Sequence, residues 1–314
     1  MRVLIVIAAV VVLGVGATAY ALRSPDSVAV AVEQGPVELS AGRLVFVDDA
    51  SGKVASVPLA SPGGPRRLSS LSCKRFYTAA RQGLCLAEGT GPLPGSVAVF
   101  VDQGLSERRR VEVAGVPNRA KLSADGRMAS WTTFVTGDSY AQAGTFSTRT
   151  AILDQQTGVY SSNIEGTRVG GMKTAGDMNF WGVTFAQDDR TYYATLGAAG
   201  KTYLVQGDAS AESAKLLREN AECPSLSPDG TRVAFKKRVP GDGARPWREH
   251  VLDLTTMVET PLAETRGIDD QVVWLDNDTI AYGLPGEGIW AVQANGEGAP
   301  RQLVPHASSP SAVF

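Results

Sequence analysis

Between Gly35 and the C-terminus, apolar residues come in short alternating or continuous runs and nowhere at the 3.6-residue spacing of an amphipathic helix. Residues 44–47, 97–101, 191–194 and 233–235 are rich in Val, Phe and Tyr. Gly, Asp, Asn and Pro separate such runs at intervals of about five to ten residues. The pattern predicts an all-β chain. Residues 211–220 are the one helical candidate, and they read equally well as an outer strand.

The chain also repeats itself. Leu226-Ser227-Pro228-Asp229-Gly230-Thr231-Arg232-Val233-Ala234-Phe235 matches Leu122-Ser123-Ala124-Asp125-Gly126-Arg127-Met128-Ala129-Ser130-Trp131. Weaker copies start at Phe185 and Trp274, and degenerate ones at Leu39 and Ala79. Such a segment is a tight hairpin: the Asp side chain bonds its own backbone, and the residue after it takes positive φ. With Gly42, Gly83, Gly126, Asp189, Gly230 and Asp278 as markers, the spacings are 41, 43, 63, 41 and 48 residues. A four-stranded propeller blade takes about 40 to 50. The expected fold is therefore a six-bladed β-propeller of four-stranded antiparallel blades, with an insertion in the 63-residue interval. Residues 309–314 resemble the inner-strand segment 223–227, so the C-terminal strand is expected to complete blade 1 beside residues 43–47. Residues 36–40 compete for that place.

The Leu-Ser-Pro-Asp-Gly-Thr-x-Val-Ala-Phe segment resembles the repeat of TolB-type β-propellers, and the chain after residue 35 is similar to exported, actinobacterial TolB-like proteins. The resemblance does not extend to the α/β domain that precedes the propeller in TolB. It implies a propeller that binds a protein partner in the cell envelope.

Residues 3–22 carry no charge and follow Met1-Arg2; Arg23 comes next. Twenty apolar residues fit a bilayer-spanning anchor, and the small residues at 17–21 fit a signal-peptide cleavage site. Either reading puts the propeller, residues 35–314, outside the cytoplasm behind a linker at 23–34, secreted or anchored to the outer face of the membrane. In that compartment Cys73 and Cys85, flanking a hairpin, are expected to form a disulfide, and Cys223 to be a buried, inert thiol. The 30 Lys and Arg against 32 Asp and Glu give a net charge of −2 and no footprint for nucleic acid. The basic runs 108–110 and 236–238 read as solvated strand faces. Two histidines and three cysteines are too few for a His-rich or four-Cys metal site.

In a propeller, the turns between first and second and between third and fourth strands lie on one face. The second-to-third loops and the links between blades lie on the other. Here the first class is tight, and the second holds residues 88–96, 135–147, 162–176, 239–247 and 283–288, which makes the long-loop face the expected binding face. Inner strands begin there, so Lys74, Arg75, Asn118, Arg119, Asp177, Asn179, Glu222, Asp269 and Asp270 are expected around the channel mouth. Trp247 and Arg248, and Asp138 and Tyr140, are the expected contact residues of the loops. Trp181 and Trp274 read as packing. No nucleophile–histidine pairing is visible, so no catalytic residue is assigned. The expectation is a monomeric, non-catalytic module that needs no cofactor and binds an envelope protein or a cell-wall component. The alternative is a metal-assisted hydrolase or lactonase, with calcium or another divalent cation held by the mouth carboxylates.

Overall fold

The computed structural model describes residues 30–89, 95–136, 146–172, 177–241 and 245–313. Six antiparallel sheets form the ring of a β-propeller. Blade 1 comprises Arg43–Asp48, Lys53–Pro58 and Arg67–Ser72, with Ala307–Val313 as its innermost strand. Blade 2 comprises Arg75–Ala79, Gln82–Glu88, Ser96–Val101 and Glu107–Val113, and blade 3 Val116–Leu122, Met128–Thr136, Ser147–Asp154 and Tyr160–Ser161. Blade 4 runs through Asn179–Phe185, Thr191–Ala198, Lys201–Asp208 and Ser213–Glu219. Blade 5 is Glu222–Leu226, Arg232–Arg238, Trp247–Asp253 and Glu259–Pro261; blade 6 is Val273–Trp274, Thr279–Leu284, Gly288–Gln293 and Arg301–Pro305.

The ring closes as the C-terminal repeat predicts. Leu44 pairs with Ala312 and Val45 with Ser311, so the last strand supplies the inner edge of the first blade. Such closure leaves no open inner edge. Residues 36–40 form no strand; Val37 and Leu39 are buried, and Leu39 N–H donates to Gln103 O of blade 2. Residues 213–219 are the outer strand of blade 4, not a helix.

Every blade is packed on both faces. One apolar layer fills each seam between neighbours, for example Leu84, Leu86 and Trp131 between blades 2 and 3 and Leu204, Phe235 and Leu252 between blades 4 and 5. Burial of this kind is the main stabilising term, at roughly 25 cal/mol per Å² of apolar surface.

The marker turns behave as expected in four blades: Gly42, Gly126 and Gly230 have φ of 76°, 79° and 73°, and Asp189 takes the same left-handed conformation at 53°. In blade 2 the turn sits at Ala80 and Arg81 instead. Gly83 lies within the strand, where a Cβ would meet the Phe76 ring at 2.4 Å. The insertion in the third interval also differs from expectation. Residues 168–170 add a fifth, parallel strand to the outer edge of blade 4, so this part of the segment does not stand on the rim.

Candidate functional site

The tight-turn face is occupied with itself. Asp125 accepts from Arg127 N–H (2.9 Å) and the Ser123 hydroxyl (2.6 Å), and Asp229 accepts from Thr231 N–H (3.0 Å) and the Ser227 hydroxyl (2.5 Å). Partial burial pushes the Asp229 carboxyl up, but the bonds from Ser227 and Thr231 outweigh it and hold the group below the usual range. Three of the turns also reach the next blade. Gln82 Nε2 donates to Gly126 O (3.0 Å), Gln187 Nε2 to Pro228 O (2.9 Å) and Arg232 Nη2 to Asn277 O (2.6 Å). The polar residues of the repeat are a girdle that ties the blades together.

On the long-loop face, five of the predicted residues meet at the channel mouth. Arg75 Nη1 lies 3.3 Å from Asp270 Oδ1, and Arg119 lies 3.6 Å from Asp269 and 4.0 Å from Asp270. Asn118 is buried beside them, its carbonyl accepting from Arg119 Nη1. The sixth member is Lys236, which is 0% exposed and not on a solvated strand face. It ion-pairs with Asp269, lies 3.9 Å from Glu222 and sits 4.1 Å over the Trp247 ring. Burial opposes its charge, yet Cys223, Asp269 and Glu222 hold its pKa up. Burial likewise opposes ionisation of Asp269, and Lys236 and Arg119 reverse that, keeping it ionised. Deeper in, the Glu249 carboxyl is fully buried and neither oxygen has a hydrogen bond. Burial raises its pKa well above the normal range although Lys236 pulls the other way. Lys121 Nζ donates to Ser225 Oγ (3.1 Å), and burial lowers its pKa to about 7.

This arrangement bears on a divalent cation. The mouth carboxylates face guanidinium and ammonium groups, and among the described residues no three carboxylate, Cys or His side chains converge as ligands. A metal would have to displace Arg75, Arg119 and Lys236 first.

Asp177, Asn179 and Glu222 belong to a second feature. They line a recess of about 630 Å³ over blade 4, together with Phe146 and Ser147 of blade 3, Trp181, the strip 197–202, Glu219, Asn220 and Arg238. Its cause is a short connection. The second and third strands of blade 4 are joined only through Ala199 and Gly200, both with positive φ, while residues 137–146 and 239–246 join the corresponding strands of blades 3 and 5. Ala198 and Gly197 keep the floor low; a Cβ at Gly197 would meet the Trp181 ring at 2.8 Å. Trp181 and Phe146 pack edge to face, 5.4 Å between centroids. Asn179 is fixed by Thr148 N–H, 2.9 Å from its Oδ1, and by its own bond to Asp177 O. Asp177 Oδ2 accepts from Ala199 N–H at 2.8 Å. Glu222 Oε1 accepts from Arg238 Nε (3.0 Å) and Trp247 Nε1 (3.2 Å).

Other expected residues lie elsewhere. Lys74 pairs with Glu88 at 3.1 Å, both exposed. Trp247 is corrected: it opens the third strand of blade 5, is 1% exposed, and packs with Phe134, Trp181 and Cys223 beneath the recess. Its indole N–H and its ring are both used internally, so it offers nothing to a partner. Arg248 is half-buried and donates to Trp247 O (2.8 Å) and Arg245 O (3.3 Å). Asp138 and Tyr140 lie outside the described residues, as does the apolar stretch 3–22. Cys73 and Cys85 are joined by a disulfide with Cα atoms 5.5 Å apart, and Cys223 is a buried free thiol whose pKa burial raises. His250 is paired with Glu259 through Nδ1 at 2.8 Å.

No family model and no curated protein matches the chain. Solved structures do. TolB from Acinetobacter baumannii superposes with a TM-score of 0.61 at 14% identity, over 87% of this chain and 67% of that one. An oligogalacturonate lyase in complex with manganese gives 0.51 at 10% identity, over 82% and 72%. A puromycin-hydrolyzing peptidase from Mycobacterium tuberculosis gives 0.49 at 17%, over 84% of this chain but 43% of that one. At these identities it is the fold that is shared: the chain is a TolB-like six-bladed propeller.

Proposed function

We propose that this propeller is an exported, non-catalytic binding module of the cell envelope that engages its partner with the recess on the long-loop face. The observation that carries the reading is the contrast in polar accounting. The tight turns satisfy their own side chains, and the mouth pairs its charges, whereas the recess over blade 4 is concave, open and lined by mixed polar and aromatic residues. Concave sites of this size on a rigid scaffold are the usual places for ligands. The apolar residues 3–22 and the likeness in fold to TolB support placement in the envelope. The partner expected there is a protein or a cell-wall component. The metal-assisted alternative is the weaker reading at the mouth, because Asp269 and Asp270 are held there by Arg75, Arg119 and Lys236.

The test is photo-crosslinking in the native cell from two positions in one blade. Lys201 and Arg190 are similarly exposed, with side-chain values of 55% and 60%, at opposite ends of blade 4. A photoreactive residue at 201 should yield a discrete adduct and one at 190 should not. Equal adduct patterns from both, or none from 201, would remove the recess from the account.

A further inference from the structure

We propose that the outer flank of the seam between blades 2 and 3 is a second contact surface, which receives an acidic, apolar-containing peptide segment of a partner protein. The surface shares none of the lining residues of the recess over blade 4. The fold leaves this flank open for a traceable reason. The fourth strand of blade 2, Glu107–Val113, has seven residues, whereas that of blade 3, Tyr160–Ser161, has two. After Ser161 the chain turns to blade 4: Ile164 is buried in the core between blades 3 and 4, and residues 168–170 pair with 213–215. The outer strand of blade 2 therefore has no strand of equal length across the seam. Val111 and Val113, which pack into the cluster around Trp131, stay half-buried, and Val159 and Tyr160 are 70% and 41% exposed. Exposed apolar groups gathered in this way mark contact surfaces, as singly scattered ones do not.

Two guanidiniums on the same flank select the charge of the partner. Arg109 lies opposite Phe100 in its sheet, and Phe100 meets Trp131 edge to face, 6.1 Å between centroids. Arg149 alternates with Ala151 and Leu153, which pack into the same seam. Tyr160 stacks on Trp131, 5.7 Å between centroids. Partial burial raises the Tyr160 phenol above its usual value, and Arg149 and Arg109 stand near enough to pull against that rise. The acids of the blade 2 strand are engaged or averted: Glu107 pairs with Arg110 at 2.7 Å, Asp102 pairs with Arg108, and Glu112 lies opposite Val97, which packs toward blade 1. Arg109, exposed like Arg149, enters no ion pair with a described residue. A guanidinium takes a carboxylate through both oxygens, and Tyr and Arg are residue types enriched at protein contacts. The two arginines are interspersed with aromatic and aliphatic side chains, and Arg108 and Arg110 beside them are already paired. That arrangement suits carboxylates alternating with apolar residues, not the continuous charge of a phosphate polymer.

The test uses purified full-length protein and three fluorescein-labelled probes: the peptide Glu-Val-Glu-Leu-Glu, its counterpart with glutamine for each glutamate, and poly(glycerol phosphate). Fluorescence anisotropy at low salt should show the acidic peptide binding about tenfold tighter than the glutamine peptide, as two guanidinium–carboxylate pairs would give. The preference should shrink as salt is added. Arg109→Gln combined with Arg149→Gln should remove it, and Tyr160→Ser should weaken both peptides. Arg301→Gln, exposed on the fourth strand of blade 6, should change nothing. Equal affinities for the two peptides, a preference that survives the double variant, or one lost equally in Arg301→Gln would overturn the proposal. Poly(glycerol phosphate) binding tighter than the acidic peptide would overturn the assignment to a peptide and make the flank a site for an anionic polymer.

Discussion

The two faces of the propeller use the same residue types to opposite ends. On the tight-turn face Asp, Ser, Thr, Gln and Arg are consumed in hairpins and in bonds to the next blade. On the long-loop face the charges at the mouth pair with one another, Arg75 with Asp270 and Lys236 with Asp269, whereas over blade 4 polar and aromatic side chains line an open recess. The difference teaches that abundance of polar groups does not mark a site. What marks it is polar and aromatic side chains gathered on the wall of an open concavity.

The long-loop face is itself divided, and the largest expected effect comes from its structural side. Arg66 is fully buried, ion-paired with Asp48, and donates to Pro305 O (2.7 Å) and His306 O (3.3 Å) just before the closing strand. Arg66→Ala leaves Asp48 buried and unpaired, and denaturant unfolding should show a loss of about 3 kcal/mol or more. A loss near zero would mean that the closing strand does not depend on this clamp.

On the opposite face, Asp229→Ala should cost about 1–2 kcal/mol through the lost turn bonds, while partner capture persists. Because the folded state holds this carboxyl low, its stabilising contribution is present above the unfolded value near pH 4 and fades as pH falls through the folded value. The variant should therefore lose less on acidification than the parent, as thermal melts from pH 6 to pH 2 would show.

Beneath the mouth the sign reverses. Lys121 has a folded pKa of about 7 against 10.5, so between these values the unfolded chain binds more protons and stability from this group rises with pH. Lys121→Met should raise the melting temperature more at pH 6 than at pH 9. An equal change at both would show that the side chain is charged as freely in the fold as in the unfolded chain.

The smallest stability effect is expected in the recess. Asp177→Asn should change unfolding free energy by within about 0.5 kcal/mol, as for an exposed position whose bond is retained.

The periodic part of the structure was legible because hairpin chemistry is local. Asp125-Gly126 and Asp229-Gly230 announce their turns, and residues 309–314 announce the ring closure through likeness to 223–227. Burial was less legible, because both faces of each blade are packed and a period of two no longer separates inside from outside. Lys236 reads as solvated for that reason: it alternates with Lys237 along a strand whose two sides both meet neighbouring structure, whereas Trp247 reads as the end of a loop and instead opens a strand. The recess was hidden differently. Attention to long loops picks out what protrudes, while the cavity arises from a connection that is short, at Ala199 and Gly200. Asp177, Asn179 and Glu222 were identified from their place at the start of inner strands, but their grouping away from Arg75 and Asp270 needed the three-dimensional ring.

The most direct measurement compares Asp177→Asn with Asp229→Ala in the same cells, reading the position-201 adduct and the melting temperature of each. The account predicts a crossed result: Asp177→Asn loses the adduct at unchanged stability, and Asp229→Ala loses stability while folded protein keeps the adduct. An adduct abolished by Asp229→Ala in protein that is still folded would contradict the assignment of binding to the recess and of scaffolding to the tight turns, and one that survives Asp177→Asn would take Asp177 out of the contact.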